Sequence, residues 1–190
     1  HWAMGTVYYQ GYLDYDRALK ELTIAQQINP NDSAIPLLIG SVKRRQGKFE
    51  EAATIMERAV SLDPNNAYNS FTLGATYALL RKYPEAQKHI DRALLLAPTG
   101  LWYARKARFA LLQGEIEMAR AALNEAAAKS VTSPFDFYYG GMLELFAHDY
   151  KAAMSRLSSD PSDAYDYQWF LVPKAPVSYT HLRAHETVLD

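Results

Sequence analysis

The feature that most restricts the fold of this chain is a period. Pro30, Pro64 and Pro98 are separated by 34 residues and again by 34, and Ala18, Ala52 and Ala86 keep the same step. Ala25, Ala59 and Ala93 also repeat at 34, as do Gly40 and Gly74, while Ala119 and Ala153 continue the first series after one 33-residue step. Different residue types holding one spacing over most of a chain mark an array of similar units. Each unit is too small to bury its own apolar face and becomes stable by stacking on its neighbours.

Within one period the pattern is helical. Ala52, Ile55, Met56, Ala59, Val60 and Leu62 form one apolar stripe, and Glu50, Glu51, Glu57 and Arg58 lie off it. Asp63-Pro64-Asn65-Asn66 ends that helix, because proline lacks an amide hydrogen and disfavours helix in the residue before it. Upstream, Gln46-Gly47-Lys48 makes the turn from a preceding helix, Ser33 to Arg45. Each unit is therefore expected to be an antiparallel helix pair. Alanine recurs where the two helices approach, since larger side chains would push their axes beyond roughly 8–10 Å.

On these residues the chain resembles the tetratricopeptide repeat family. Leu73-Gly74, Tyr77, Tyr83, Ala86, Ile90, Ala93 and Pro98 follow the repeat pattern, as do Ile39-Gly40, Gly47, Phe49, Ala52, Met56, Ala59 and Pro64, with Lys43 at the usual aromatic place. A first unit (Met4-Gly5, Tyr8, Tyr15, Ala18, Leu22, Ala25, Pro30) has one extra residue in its inter-helix turn. A fourth (Ala107, Gly114, Ile116, Ala119, Leu123, Ala126) lacks the closing proline, and a fifth is read from Gly141, Tyr150, Ala153 and Leu157. The resemblance implies an all-α fold, a right-handed superhelical α-solenoid of antiparallel helix pairs. We expect residues 1–160 to form about five pairs and 161–176 to begin a further, truncated repeat. More loosely, DYDRAL, RRQGKFEEA and the aromatic run before Val172-Pro173-Lys174-Ala175 resemble repeat tails of bacterial multidomain signalling proteins. That kinship implies a fragment of a larger bacterial protein.

The N-terminus is expected to be cut from a longer reading frame, and the C-terminal tail to be foreign. His1-Trp2-Ala3 opens without an initiator Met, inside an amphipathic helix. Val177 to Thr187 reads VSYTHLRAHET, which resembles the translation of a transposase adapter used in preparing sequencing libraries, so 177–190 is read as a non-native tail. His181 and His185 stand four apart there, a metal-ligand spacing, but no metal site is expected of residues that nothing selected.

Composition narrows the function classes. Twenty Lys+Arg against 21 Asp+Glu argue against a generally basic nucleic-acid binder, and no nucleic-acid partner is expected. The absence of cysteine excludes disulfides, cysteine-held zinc and thiol nucleophiles. No apolar run reaches the roughly 20 residues of a membrane span, so no membrane insertion is expected and a cytoplasmic location is. Walker, GxGxxG, HExxH and GxSxG motifs are missing before residue 177. His89 and Asp91, two apart on a helix, face different ways, and His148-Asp149 sits in an expected turn. Glu115 and Glu117 suit a helix start, and Ser133-Pro134 reads as an N-cap followed by proline. No cofactor and no enzyme activity are expected.

What remains is a surface. In the family that the chain resembles, the first helix of each pair lines a concave groove that holds peptides. The register places Trp2, Thr6 and Tyr9 on it, then Leu37, Ser41, Arg44 and Arg45, then Phe71, Ala75 and Ala78. Ala104, Arg108 and Leu111 follow, and then Tyr138, Met142 and Leu145. Aromatic and arginine side chains dominate binding hot spots, and arginine matches carboxylates, so the expected partner is a protein or peptide segment with acidic groups. The places of the family's carboxylate clamp carry Leu37, Ser41, Phe71 and Ala75, which argues against chaperone C-terminal tails as ligands. The competing reading makes Tyr8, Tyr77, Tyr83 and Tyr150 core, and Lys43-Arg44-Arg45 a solvated helix end. The function expected is a non-catalytic protein–protein interaction scaffold. The alternative is a regulatory or self-association module of an enzyme, a kinase or nucleotide cyclase, whose catalytic domain lies upstream.

Overall fold

A computed structural model describes residues 1–129, 143–144, 147–149 and 151–152. Tyr138, Met142, Leu145, Tyr150, Ala153, Leu157, the Ser133-Pro134 cap and everything from 161 to 190 lie outside the described residues. Among the described residues all regular structure is helical: α1 (Trp2–Val7), a π-helical turn (Tyr8–Tyr12), α2 (Tyr15–Ile28), α3 (Ala34–Arg45), α4 (Phe49–Leu62), α5 (Ala67–Leu79), α6 (Tyr83–Leu96), α7 (Gly100–Gln113) and α8 (Ile116–Lys129). The chain divides into two compact units, His1–Trp102 and Tyr103–Asp190. The architecture is an all-α solenoid of helix pairs.

The reversals inside the pairs share one backbone device. Leu13, Gly47, Arg81, Gly114 and His148 all have positive φ, between 54° and 78°. Each ends a helix in the left-handed conformation, which turns the chain and lets the last carbonyls be satisfied. Lys48 N–H reaches back to the Lys43 carbonyl at 3.0 Å, Lys82 to Tyr77 at 3.0 Å, Glu115 to Ala110 at 2.9 Å and Asp149 to Glu144 at 2.9 Å. The first turn differs: Asp14 N–H bonds to the Tyr8 carbonyl, one residue further back, across the π-helical turn. The extra residue of the first unit is thus absorbed as a widened helical turn rather than looped out.

Only glycine adopts this conformation without cost, and two of the five turns have it. Arg81→Gly is expected to raise stability by about 0.5–1 kcal/mol, the roughly 1–2 kcal/mol left-handed penalty less glycine's larger entropy loss. Urea denaturation checks it, and a loss of stability would mean that the turn is not strained at this residue.

The repeated alanines lie where helices meet. Ala18, Ala52 and Ala119 have no exposed surface, nor do Ala59, Ala93 and Ala126. Opposite them in the first three pairs stands a glycine. A Cβ built on Gly5 would lie 3.3 Å from the Ala18 carbonyl oxygen, one on Gly40 3.1 Å from that of Ala52, and one on Gly74 3.0 Å from that of Ala86. Backbone therefore meets backbone at the same place in three successive pairs. The fourth pair has Ala107 there, buried in a cluster with Ala110, Leu111, Ala119 and Leu143.

Stacking of one pair on the next uses polar ties as well as apolar contact. Asn69, 1% exposed, donates through Nδ2 to Ser33 Oγ at 3.2 Å and to the Ala59 carbonyl at 3.3 Å. Arg58 Nη2 donates to the Pro30 carbonyl at 3.2 Å, and Arg92 Nη2 does the same to Pro64 at 3.3 Å. The closing proline of one unit is thus gripped by the second helix of the next, a pairing that repeats with the array.

Candidate functional site

Within the first compact unit, α3 and α5 are neighbours, and they carry the stripes that register assigns to a groove. Residues three and four apart share a helix face, so Leu37, Ser41, Arg44 and Arg45 form the stripe of α3, and Tyr68, Phe71, Ala75 and Ala78 that of α5. A hydrogen bond ties the two helices: Arg44 Nη1 donates to Thr76 Oγ1 at 3.3 Å, while the Thr76 hydroxyl donates to the Thr72 carbonyl at 2.9 Å. Thr76 is fully buried, so the arginine is anchored on a satisfied hydroxyl in the wall between pairs. Lys43, also in the last turn of α3, pairs instead with Glu51 of α4 at 2.8 Å. The ammonium's hydrogen bond holds the Glu51 carboxyl below its usual range. The three adjacent cations of this helix end thus divide: Lys43 ties α3 to α4, Arg44 reaches α5, and Arg45 is exposed.

Further along, three rings gather. Phe71 lies 4.6 Å from Trp102 between centroids, and Tyr68 lies 6.3 Å from the same indole. Phe71 and Trp102 are each 8% exposed, whereas Tyr68 is 55% exposed. An exposed tyrosine leaning on a buried tryptophan is held in place by it, which reduces the entropy lost when it makes a contact. Trp102 and Tyr68 are absent from the groove residues that register assigns. They stand one period apart, a signal present in the sequence.

Several register-assigned residues are packed away. Tyr9 is buried in a core cluster with Ala18, Leu22, Ala25, Ile35, Ile39 and Val42, its ring 6.3 Å from Tyr15. It lies in the π-helical turn, packed under α2 and α3. Leu37, Ser41, Phe71 and Ala78 are buried too, Ser41 closing its hydroxyl onto the Leu37 carbonyl at 2.9 Å. Ala75 and Arg44 are half-buried, and Arg45 and Arg108 exposed, Arg108 in the second compact unit. Of the residues that register assigns in the first unit, Trp2, Thr6, Arg44, Arg45 and Ala75 keep exposed surface, and Tyr68 stands beside the last three.

The tyrosines read as core divide as well. Tyr77 is buried, and Tyr8 and Tyr83 are half-buried. Tyr77 donates its hydroxyl to Glu57 Oε1, and burial together with that carboxylate pushes its pKa up to about 12. The His89 ring stacks on Tyr77 at 5.7 Å, and burial lowers the imidazole's pKa, with the Lys88 charge adding to the effect. Folding thus favours neutral His89. As pH falls below about 6.5, the unfolded chain takes up the proton first, so stability is present above that pH and is lost on acidification. His89→Gln should flatten the fall in stability between pH 7 and pH 5, measured by urea denaturation at each pH; an unchanged slope would assign the fall to other groups.

Among the described residues no cluster of His, Asp and Glu is arranged to hold a metal ion, and no helix is long and apolar enough to cross a membrane.

Two family models match the chain, both described as tetratricopeptide repeat, over residues 9–67 and 43–108. No curated protein matches it by sequence. Among solved structures it is similar to TTC0263, a thermophilic TPR protein of Thermus thermophilus, with 19% identity and a TM-score of 0.75 over 96% of this chain and 97% of that one. It is also similar to MamA from Desulfovibrio magneticus RS-1, at 18% identity and TM-score 0.66 over 83% and 88% of the two chains. A chain of the APC/C hetero-tetramer Cut9–Hcn1 matches at 16% identity and TM-score 0.69, over 76% of this chain and 28% of that one. At such identities the likeness is one of fold.

Proposed function

Because this chain belongs to the tetratricopeptide-repeat family, whose fold is a protein-interaction scaffold, we propose that its inner face holds an extended segment of a partner protein bearing a carboxylate and an apolar or aromatic side chain. The observation that carries the proposal is the pairing of an anchored arginine with a propped tyrosine on neighbouring helices, Arg44 on Thr76 and Tyr68 on Trp102. Arginine supplies directional donors to a carboxylate, and tyrosine supplies area at low entropy cost. The role is non-catalytic: the site positions a partner and carries out no bond chemistry.

Selection of peptides from a random display library on the full chain tests this. Selected sequences are expected to be acidic with an aromatic or branched residue nearby. Arg44→Gln and Tyr68→Ala should each weaken them at least about tenfold, the loss of one hot-spot contact of about 1.4 kcal/mol or more. Selected peptides that bind both variants as tightly as the parent would remove the inner face from consideration.

A further inference from the structure

A second concavity lies away from that stripe. Between the end of α4 and the side of α6 a cleft of about 610 Å³ is walled by Val60, Pro64 and Leu95, with Lys88 and Arg92 beside it. Ser70 of α5 also lines it. The volume falls within the roughly 300–1,000 Å³ of small-molecule sites.

Three features set this cleft apart from ordinary relief between helices. The first is Ser70: it is fully buried, and its hydroxyl has no hydrogen-bond partner. Buried polar groups are nearly always satisfied, so this hydroxyl leaves unrelieved polarity in the wall of the cleft. One period earlier stands Pro36, also fully buried, which is bulkier and has no such group. The second is charge. Lys88, Arg92 and Leu95 fall on one stripe of α6 at i, i+4 and i+7, so two cations border the apolar wall. Arg92 is fixed by the Pro64 carbonyl at 3.3 Å and Asn65 Oδ1 at 3.4 Å, which holds its guanidinium at the rim. Asp91, the acidic residue of the lining, accepts from Gln87 at 2.8 Å. The third is Leu95, which is 75% exposed where a helix of this kind would ordinarily carry a polar residue.

We propose that this cleft binds a small amphipathic carboxylate, its apolar body against Val60, Pro64 and Leu95 and its charged end at Lys88 and Arg92. Charge complementarity selects the anion, and the apolar wall selects a body of several carbons. His89, held neutral and stacked on Tyr77, contributes a flat wall rather than a third charge. The proposal is independent of the inner face, since none of Arg44, Arg45 and Tyr68 lines the cleft.

Decanoate is a suitable probe, with decanol as its uncharged counterpart, titrated into the full chain by isothermal calorimetry below the micelle concentration. Saturable binding of decanoate at one site is expected, with decanol at least tenfold weaker. Lys88→Glu and Leu95→Asp change exposed residues, so the fold is retained, and each should weaken decanoate at least tenfold. Circular dichroism identical to the parent confirms the fold in each variant. Absence of saturable binding, equal affinity for decanol, or unchanged affinity in either variant would overturn the proposal.

Discussion

Leu73→Ala is expected to lower the unfolding free energy by about 2–5 kcal/mol, the range for emptying a fully buried leucine site. Leu73 has no exposed surface and sits in α5, which packs against both α4 and α6. A cavity there weakens a helix that serves both the contact within one pair and the contact to the pair before it. In a stacked array stability is close to a sum of unit and nearest-neighbour terms, so a central defect weakens two terms where an end defect weakens one. Leu95→Ala supplies the contrast: its side chain is largely exposed, and a change within about 0.5 kcal/mol is expected. Urea denaturation of both variants gives the comparison, and similar losses in the two would mean that Leu73 is not at the centre of the core.

The fold was legible because its signals are local and repeated. Proline ends a helix by backbone chemistry alone, and Pro30 and Pro64 do so whatever surrounds them. The turns were equally readable at Gly47 and Gly114. They were less so at Leu13, Arg81 and His148, where the same left-handed conformation is imposed on residues that do not favour it. There tertiary packing of the pair overrides local preference, and only the period betrays the turn. The extra residue of the first unit was countable, but its form was not. A widened turn keeps Tyr9 in the core with Leu22 and Val42, and that choice depends on packing across the pair.

The inner face was legible only in outline. Register names the helix side that faces inward, yet it cannot say how far neighbouring pairs close over it. Register assigns Leu37, Ser41, Phe71 and Ala78 to that side, and they are buried. The partners that position Arg44 and Tyr68 lie far away in sequence, at Thr76 and Trp102, so no short motif announces them. The outer cleft was invisible for the same reason. An unsatisfied serine and an exposed leucine are ordinary letters until the backbone sets them around one volume.

Overpacking the shared backbone contact should be nearly as damaging as emptying the core. Ala86→Leu is expected to cost about 1–3 kcal/mol, and Gly74→Leu a similar amount, because each forces extra atoms into a place where helices already touch. A Cβ on Gly74 would meet the Ala86 carbonyl oxygen at 3.0 Å, Ile90 Cγ1 at 3.1 Å and His89 Cβ at 3.2 Å. The nearest of these is backbone and cannot rotate aside. Gly40 is tighter still, since its added Cβ would lie 2.7 Å from Cγ of the fully buried Met56 and 3.1 Å from the Ala52 carbonyl oxygen. Gly40→Ala should therefore be no better tolerated than Gly74→Ala. The double variant Gly74→Leu/Ala86→Leu should cost less than the sum of the single ones, because the first leucine already parts the helices that the second would part. Additive losses in urea denaturation would show that the two residues do not share one contact, and the repeated glycine–alanine approach would then not be what sets the spacing of the pairs.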